Sequence, residues 1–246
     1  MAATASFAVV IPMYNEQAGA EDCVRRVCRA LAAISGRSRL LAVDDGSADQ
    51  TGAILDRLAP CFTNLQVIHH AGNRGYGAAL RTGAAAASAA GFDYVVFMDS
   101  DLTNDPGDLA KFADKMAGGY DVIKATRYSH GGGVSGVPWY RVAVSVLGNW
   151  LARQLLRLPL HDCTNGFRAI RTSLLARMRL TENRFPLIME ELYWSKFMAR
   201  SYAEVPVTLT DRQHGLRRTS FVYRPKVFYD YLKYPVRGFL RIKPRA

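Results

Sequence analysis

The stretch Tyr94–Asp101 reads YVVFMDSD, in which five apolar residues are followed by two aspartates on either side of a serine. Short runs rich in apolar and β-branched residues predict buried strands. Similar runs lie at Phe7–Pro12, Leu40–Val43, Leu65–His69, Val122–Ala125 and Ala203–Val207. Helical segments are predicted between them, at Glu21–Ser35, Asp49–Leu58, Gly77–Ala90 and Pro106–Met116. This alternation predicts an α/β fold with a mostly parallel sheet flanked by helices.

The composition is that of an ordinary globular domain. The chain has 246 residues, of which 49% are hydrophobic and 22% charged, so wholesale disorder is excluded. The net charge of +11 favours anionic partners such as nucleotides, nucleic acid or acidic lipid headgroups. The four cysteines have neither metal-site nor redox spacing, and we expect reduced thiols in a cytosolic protein. No apolar run reaches the roughly 18 residues that would predict a membrane-spanning helix.

The second part of the chain is different in character. A glycine-rich loop at Ser129–Pro138 is followed by a long predicted helix at Trp139–Leu156. From Ser201 to Ala246, ten basic and three acidic residues carry +7 of the net charge, and aromatic residues are interspersed among them. We therefore predict one domain at residues 1–220 and a basic, amphipathic C-terminal extension at residues 221–246.

The aspartates that follow Tyr94–Met98 are the strongest local indication of chemistry. Ligands of parallel sheets bind at the carboxyl ends of the strands. Asp99 and Asp101 stand at such an end, and carboxylate oxygens suit Mg²⁺ or Mn²⁺, which in turn bridge to phosphate. The alternative is an acidic turn in solvent, with Asp99 or Asp105 capping the helix that begins near Pro106.

Two other strand ends carry polar residues. Asp44 and Asp45 offer acceptors to a ribose or a base, although a turn with a helix cap explains them equally. Tyr14 offers a stacking surface for a base and Glu16 an acceptor, the alternative being a polar loop with a buried tyrosine. Asn73–Ala79 lacks the third glycine of GxGxxG and the Lys-Ser/Thr of a P-loop, so it predicts a helix start packed on the sheet.

Taken together, these segments resemble a known family. The ordered series VVIPMYNE, VDDGSADQT, NRGYGAALRTG, FMDSDL, KATRY and TNGFRAIR is similar to family 2 inverting glycosyltransferases with the Rossmann-like glycosyltransferase A-type fold, over about residues 6–220. Within that family, TNGFR at Thr164–Arg168, Glu190 with Tyr193, and Val205–Val207 resemble the polyprenyl-phosphate sugar synthases, which include the dolichyl-phosphate mannose synthases. The QxxRW motif of processive synthases is absent from the sequence.

The resemblance implies an activity and a set of donor-side residues. The activity is transfer of one sugar from GDP-mannose or a UDP-sugar to a polyprenyl phosphate, with Mg²⁺ or Mn²⁺. The residues that match nucleoside contacts are Pro12, Tyr14, Glu16, Val43 and Asp45. The residues that match the diphosphate and metal segment are Asp99, Ser100 and Asp101, with Asp101 as direct ligand, and Thr103 at a position where relatives often have a glutamine ligand.

The resemblance also implies a set of basic residues. Arg127 and Arg141 match the reaction centre, Arg168 and Glu190 the acceptor side, and Arg212 and Arg218 the nucleotide diphosphate. Arg217 competes for the role of Arg218, because HGLRRTS departs from the family's GESKL. Two anionic reactants need cations on both sides of the sugar, and a phosphate monoester is largely dianionic at pH 7, so a catalytic base is optional. The alternative is that these arginines are ordinary surface charge.

A polyprenyl phosphate lies in a bilayer, so the enzyme has to dock on one. Apolar residues recur at helical spacing at Tyr140, Val144, Leu147, Leu151 and Leu155, and the basic aromatic extension follows. Such segments are typical of the membrane interface, although an apolar stripe also suits a helix packed on the core. We expect a cytoplasmic enzyme associated peripherally with the inner face of the membrane, and no nucleic-acid partner.

Two other functions remain open from sequence. The same donor chemistry on a hydroxyl acceptor would need a base, supplied by Asp or Glu near Glu190. A non-catalytic nucleotide- or anion-binding module would use the positive charge to bind nucleic acid or an anionic membrane. This module is disfavoured because both aspartates of the metal segment are present and aromatic residues are not arrayed on strands.

Overall fold

The computed structural model describes residues 5–211 and 225–244. Its larger sheet contains, in chain order, β1 (Phe7–Met13), β2 (Ser38–Asp44), β3 (Leu65–His69), β4 (Tyr94–Phe97), β5 (Val122–Thr126), β7 (Arg168–Arg171) and β8 (Tyr202–Pro206). Two short strands, β6 (Gly133–Val134) and β9 (Thr208–Leu209), form a separate ladder. The predicted α/β fold with a mostly parallel sheet is therefore confirmed, and all six predicted strands are present to within two residues at each end.

The strand order of the sheet is β3-β2-β1-β4-β7-β5-β8, and β7 is its one antiparallel member among the described residues. Sequence analysis did not predict β7, because its four residues, RAIR, contain two arginines and no apolar run. The glycine-rich loop also contains more structure than predicted, since β6 lies within it and pairs with β9.

Eight α-helices are described. They are α1 (Ala20–Ala32), α2 (Thr51–Leu58), α3 (Tyr76–Ala89), α4 (Leu109–Ala117), α5 (Trp139–Leu156), α6 (Thr172–Leu175), α7 (Leu187–Met198) and α8 (Pro225–Phe239). The five predicted helices correspond to α1–α5. Helix α7 was not predicted: it buries nine consecutive residues, Leu187–Ser195, so it lacks the one-sided pattern by which surface helices are recognised.

Helices cover both faces of the sheet. On one face, α1 buries Cys23, Val24, Val27, Cys28 and Leu31, which recur at helical spacing and form a single stripe. Residues of α2 and α4 join the same core, whereas residues of α3, α5, α7 and α8 belong to a second core on the other face. The sheet is thus buried on both sides, as parallel sheets are.

The C-terminal extension packs on this second core. Tyr234 of α8 is buried, and its hydroxyl donates a hydrogen bond of 2.8 Å to Glu182. The hydroxyl of Tyr193 in α7 donates to the carbonyl of Ile242 at 2.7 Å. The predicted domain boundary at residues 220–221 lies outside the described residues. Among the described helices, none is both long and apolar enough to cross a membrane.

Candidate active site

The sheet brings the predicted site residues to one edge. Strands β1, β2, β4 and β5 are mutually parallel and end at this edge, which we call the carboxyl edge. Pro12 of β1 is the register partner of Val43 of β2, so these two residues are neighbours, and their contact with a nucleoside stays a prediction. Because β7 is antiparallel, it begins where the others end, and Arg168 is the register partner of Phe97. The TNGFR motif therefore lies beside the aspartates that follow β4.

The loop after β1 is tied to the loop after β2. Asn15 has a left-handed backbone with φ 54°, and its backbone N–H donates to the hydroxyl of Ser47 at 3.0 Å. The backbone N–H of Glu16 donates to the hydroxyl of Thr51 at 2.8 Å. Tyr14 lies between the end of β1 and these two hydrogen-bonded residues, and it is 46% exposed. This excludes the alternative of a buried tyrosine and leaves an aromatic face open to a ligand.

Asp44 and Asp45 are both buried and act within the protein. Asp45 accepts hydrogen bonds from the backbone N–H groups of Arg74 and Gly75 at 3.0 and 2.7 Å, and it pairs with Nδ1 of His70 at 2.7 Å. Burial alone would raise the pKa of Asp44, but hydrogen bonds from Ser47 and His69 outweigh burial and lower it. The two carboxylates thus shape the loops, as the turn interpretation predicts. A direct nucleoside contact by Asp45 stays a prediction.

The metal segment is held from two directions. The hydroxyl of Tyr76, at the start of α3, donates to Oδ1 of Asp99 at 2.9 Å. Burial and the neighbouring Asp99 raise the pKa of Tyr76 well above its usual value, so the hydroxyl keeps its proton and remains a donor. On the other side, a Cβ at Gly166 would lie 2.7 Å from Oδ2 of Asp99, so this glycine leaves the room that the carboxylate occupies.

The donor set fits a divalent cation that is shared with a phosphate. Oδ1 of Asp101 accepts from the backbone N–H and the hydroxyl of Thr103, at 3.2 and 2.9 Å. In the described part of the chain, no three His, Cys, Asp or Glu side chains come together as a complete metal site. Mg²⁺ in nucleotide sites is commonly held by one or two carboxylates plus substrate phosphates, which is what Asp99 and Asp101 offer. Thr103 orients Asp101, and direct coordination by Thr103 stays a prediction.

The capping alternative accounts for a different aspartate. Oδ1 of Asp105 accepts from the backbone N–H of Gly107 at 2.9 Å and caps the short 3₁₀ turn Pro106–Asp108. Oδ1 of Asp105 also lies 3.6 Å from Nη2 of Arg26 in α1. Capping therefore explains Asp105 and does not explain the pair Asp99 and Asp101.

Arg127 follows β5 and is joined to a buried carboxylate. Its Nε and Nη2 lie 2.6 and 2.9 Å from the two oxygens of Asp162, and Nη2 also donates to the hydroxyl of Thr164 at 2.8 Å. Burial would lower the pKa of Arg127, but Asp162 raises it, so the guanidinium stays charged. The charge of Arg127 is thus offset by Asp162, and the role of Arg127 at the reaction centre stays a prediction.

Arg168 lies behind the carboxyl edge. The side chain is 1% exposed, Nε and Nη2 bind Glu191, and Nη1 donates to the carbonyl of Gly166 at 2.6 Å. The backbone carbonyl next to it, that of Asn165, accepts from the buried Lys124 at 2.6 Å, and burial lowers the pKa of Lys124 to about 8. A guanidinium paired in this way orients the loop, and the acceptor-side role of Arg168 stays a prediction.

The carboxylate of Glu190 is likewise hydrogen bonded within the protein. The side chain is 3% exposed, and its carboxylate accepts from the backbone N–H groups of Thr181 and Glu182 and from the hydroxyl of Thr181, at 2.8–3.0 Å. These hydrogen bonds occupy the carboxylate, and the acceptor-side role of Glu190 stays a prediction. The hydroxyl-acceptor alternative needs a base from an Asp or Glu near Glu190, and it stays open.

The remaining predicted cations have other positions. Arg141 in the first turn of α5 is half-buried, and its Nε is buried without a hydrogen-bond partner among the described residues. Arg212 and Arg218, with the competitor Arg217, lie outside the described residues. Thr210, at the end of the described segment, donates its backbone N–H to the carbonyl of Thr103 at 2.9 Å.

Sequence analysis missed three residues that organise the site: His70, Tyr76 and Asp162. Tyr76 lies within NRGYG, but the sequence does not show that α3 begins beside the end of β4. His70 and Asp162 are isolated in sequence, and their partners are 25 and 35 residues away. His70 directly follows β3, so a polar residue at a strand end was an available signal there, whereas Tyr76 begins α3 and Asp162 lies in the loop between α5 and β7, where that signal does not apply.

Comparisons with known proteins agree with this geometry. The sequence profile of glycosyl transferase family 2 matches residues 8–179. Polyprenol monophosphomannose synthase of Mycolicibacterium smegmatis is 32% identical over 236 residues, which are 94% of this chain and 88% of that protein. Dolichol-phosphate mannosyltransferase of Pyrococcus furiosus is 29% identical over 230 residues, 92% of this chain but 61% of that protein.

Solved structures support the fold. Glucosyl-3-phosphoglycerate synthase from Mycobacterium tuberculosis, in complex with Mn²⁺, UDP and phosphoglyceric acid, superposes with a TM-score of 0.66 at 19% identity. The superposition covers 98% of this chain and 80% of that one. The same enzyme with Mg²⁺ and UDP also gives a TM-score of 0.66, at 20% identity and with 98% and 81% coverage.

Proposed function

The chain belongs to glycosyl transferase family 2, and we propose that it is an inverting enzyme that transfers one sugar from a nucleotide diphosphate sugar to a polyprenyl phosphate. The observation that carries the proposal is the contact at the carboxyl edge between two motifs. The metal segment, at Asp99, meets Gly166 of the TNGFR motif, which resembles the polyprenyl-phosphate branch. Two relatives whose names describe polyprenol- or dolichol-phosphate mannose transfer match more than nine-tenths of the chain.

On the donor side, the exposed ring of Tyr14 stacks on the base, and the register pair Pro12 and Val43 forms the floor of the nucleoside site. Asp99 and Asp101 would hold Mg²⁺ or Mn²⁺, which when bound neutralises the charge of the departing nucleotide diphosphate. Tyr76 fixes the orientation of Asp99, and Thr103 that of Asp101. The family resemblance adds Arg212 or Arg218 as a cation for the diphosphate.

On the acceptor side, an oxygen of the lipid phosphate forms a bond to the anomeric carbon while the bond to the diphosphate oxygen breaks on the opposite face. The configuration is therefore inverted. A phosphate monoester is largely dianionic at pH 7 and needs no base. Arg141, whose Nε has no hydrogen-bond partner in the described structure, is the cation that we assign to this phosphate. Arg127 with Asp162 and Arg168 with Glu191 hold the surrounding loop.

We also propose docking at the cytoplasmic face of the membrane through the outer side of α5. The apolar side chains of this helix that face outward are Trp139 (81% exposed), Tyr140 (52%), Val144 (41%), Val146 (45%), Leu147 (64%) and Trp150 (57%). The inner side of the same helix binds the site loop, because Asn149 accepts from the backbone N–H groups of Cys163 and Thr164 at 2.6 and 3.0 Å. A lipid-facing helix thus lies directly against the proposed acceptor site.

The test is a donor panel of GDP-mannose, UDP-glucose and UDP-GlcNAc with a short polyprenyl phosphate and Mn²⁺, read by extraction of labelled lipid. We expect one donor to label the lipid, and we expect EDTA to abolish the product. The variant Asp101→Ala should lower the rate by about 10³-fold while the fold is retained. The matched control is Asp114→Ala on the exposed face of α4, which should keep the full rate.

Three outcomes would contradict the proposal. They are the absence of labelled lipid with every donor, an equal rate with the corresponding polyprenol that lacks the phosphate, and an undiminished rate in Asp101→Ala. Docking is tested separately by sedimentation with vesicles. Leu147→Glu on the outer side of α5 should weaken vesicle binding roughly tenfold and leave the rate with detergent-dispersed acceptor unchanged.

A further inference from the structure

A second charged cavity lies far from the carboxyl edge. It has a volume of about 490 Å³, and its walls include Arg157, Lys196, Arg200, Tyr202, Phe239 and Arg241. Arg157 follows α5, Arg241 follows α8, and Tyr202 begins β8. Because β8 is parallel to β5, its first residue lies at the edge of the sheet opposite to the one where Arg127 follows β5. We call this space the basic cavity.

Among the described residues, no carboxylate neutralises the positive charge of the basic cavity. In residues 5–211 and 225–244, none of its four cationic side chains forms an ion pair with a carboxylate, and no acidic residue lines it. The nearest acid on adjoining elements, Asp121, accepts from the backbone N–H of Arg200 at 2.8 Å and pairs with Arg171. Burial and the charges of Arg157 and Arg241 lower the pKa of Lys196. Four cations in mutual repulsion favour an anion among them.

Helix ends explain only part of this arrangement. A cation near a helix C-terminus is stabilised by the helix dipole, which suits Arg157 and Arg241 individually. Lys196 also donates to the carbonyl of Leu156, at 2.7 Å, in the last turn of α5. Arg200 lies beyond the end of α7 and has no such carbonyl contact among the described residues. The convergence of all four side chains on one cavity needs a further reason.

An unsatisfied hydroxyl supplies the independent indication. The residue Tyr202 lines the cavity, and its hydroxyl is buried and has no hydrogen-bond partner among the described residues. A buried polar group left unpaired is unfavourable, so such groups mark places where a ligand or ion completes the bonding. Burial raises the pKa of this hydroxyl, which therefore keeps its proton and is a donor. The three guanidinium groups, the ammonium group and this hydroxyl are all hydrogen-bond donors, and a set of donors suits an oxyanion.

Exposed apolar residues at Phe239, which lines the cavity, and on either side of Arg241 in sequence indicate the carrier of that oxyanion. Phe239, Leu240 and Ile242 are 48, 60 and 49% exposed, and the guanidinium of Arg157 lies 5.5 Å from the ring centre of Phe239. Apolar side chains around a basic pocket are typical of surfaces that meet anionic lipid. We propose that the basic cavity binds a phosphate group, carried by the headgroup of an anionic phospholipid, as a site separate from catalysis.

The proposal is tested by binding measurements alone, so that its failure is distinguishable from failure of the proposed sugar transfer. The variant Arg200→Gln/Arg241→Gln removes two cavity charges. The matched control, Arg29→Gln/Lys115→Gln, removes two exposed charges from α1 and α4, which pack on the other face of the sheet. Tyr202→Phe removes only the unpaired hydroxyl and keeps the fold testable, because it leaves no new polar group buried.

Two probes separate the possible sources of phosphate. In the first, vesicles of phosphatidylcholine with and without phosphatidylglycerol are sedimented with the full chain. We expect the double cavity variant to bind the anionic vesicles roughly 30-fold more weakly than wild type, Tyr202→Phe about fivefold more weakly, and the control pair within twofold. In the second, inorganic phosphate is titrated and the thermal midpoint is followed. We expect it to rise in wild type and not in the cavity variant.

Some results would overturn the proposal. An equal loss of vesicle binding in the control pair would show that the overall positive charge of the protein, and not the basic cavity, binds the vesicles. A phosphate-dependent midpoint without any change in vesicle binding between wild type and the cavity variant would assign the site to a soluble anion and refute the lipid headgroup. No response to either probe in wild type would remove the site altogether.

Discussion

Two pairs of buried carboxylates, one pair in each half of the molecule, have different partners. In the half formed by β1–β4, Asp44 and Asp45 accept hydrogen bonds from backbone N–H groups and histidines, and so they set the shape of loops. In the half formed by β5, β7 and β8, Asp162 and Glu191 are bonded to arginines. The first half therefore builds a rigid frame around Asp99 and Asp101. The second half uses its cations to hold its own loop, and it leaves fewer for the substrate than the count of arginines indicates.

The largest expected effect comes from breaking an arginine pair. Arg168→Met should lower the free energy of unfolding by about 3–5 kcal/mol, because Glu191 would remain buried without its partner. Urea unfolding followed by circular dichroism measures this change. The double variant Arg168→Met/Glu191→Leu should recover most of the loss, since the buried charge is then removed as well. A single variant as stable as wild type would show that the pair is not buried as described.

A smaller effect is expected from a loop-setting carboxylate. In Asp45→Asn one oxygen acceptor becomes a donor that faces backbone N–H groups or His70, so at least one hydrogen bond is lost. We expect a loss of about 1–3 kcal/mol in unfolding free energy. The same denaturant titration applies. If Asp45→Asn lost more unfolding free energy than Arg168→Met, the loop-setting carboxylates would contribute more to stability than the arginine pairs, which is the opposite of what we expect.

A third prediction tests whether the frame acts on the metal segment. Tyr76→Phe removes the hydroxyl that donates to Asp99 and keeps the ring that stacks on Phe185, with centres 4.5 Å apart. We expect the concentration of Mn²⁺ for half-maximal activity to rise roughly fivefold, equivalent to about 1 kcal/mol, with little change in unfolding free energy. A change confined to stability would mean that the contact is structural only.

The smallest effect concerns pH. The hydrogen bond to Asp44, followed by one to Asp56, raises the pKa of His69 above its usual value of 6.5. A raised pKa in the folded state means that the pair stabilises the protein below about pH 6.5, and that this stability is lost as the pH rises through the folded pKa. His69 is 41% exposed, so we expect only about 0.5 kcal/mol. His69→Gln should be less stable than wild type at pH 5.5 and equally stable at pH 8.5.

The sequence predicted the parallel part of the fold better than the rest, for a physical reason. Strands buried on both faces are apolar runs, so β1 to β5 and their helices are visible in composition alone. Strand β7 and helix α7 are not, because their placement depends on neighbours that come from elsewhere in the chain. The same distinction holds for the site. Asp99 and Tyr14 follow recognisable strands, whereas the partners of Arg127, Arg168 and Glu190 depend on tertiary packing that spacing does not encode.

The position of β7 in the sheet has a consequence for how the protein is made. In the larger sheet β5 is hydrogen bonded to β7 and β8, both of which follow it in the chain. During synthesis, β1 to β4 are complete by residue 97, but β5 has no strand to join until residues 168–171 have left the ribosome. At about 5–20 residues per second, β5 waits for several seconds as an exposed apolar segment. The synthesis of β7 is thus the step that allows β5 to join β1–β4, and it places the TNGFR segment at the active-site edge at the same moment, before β8 adds to the sheet.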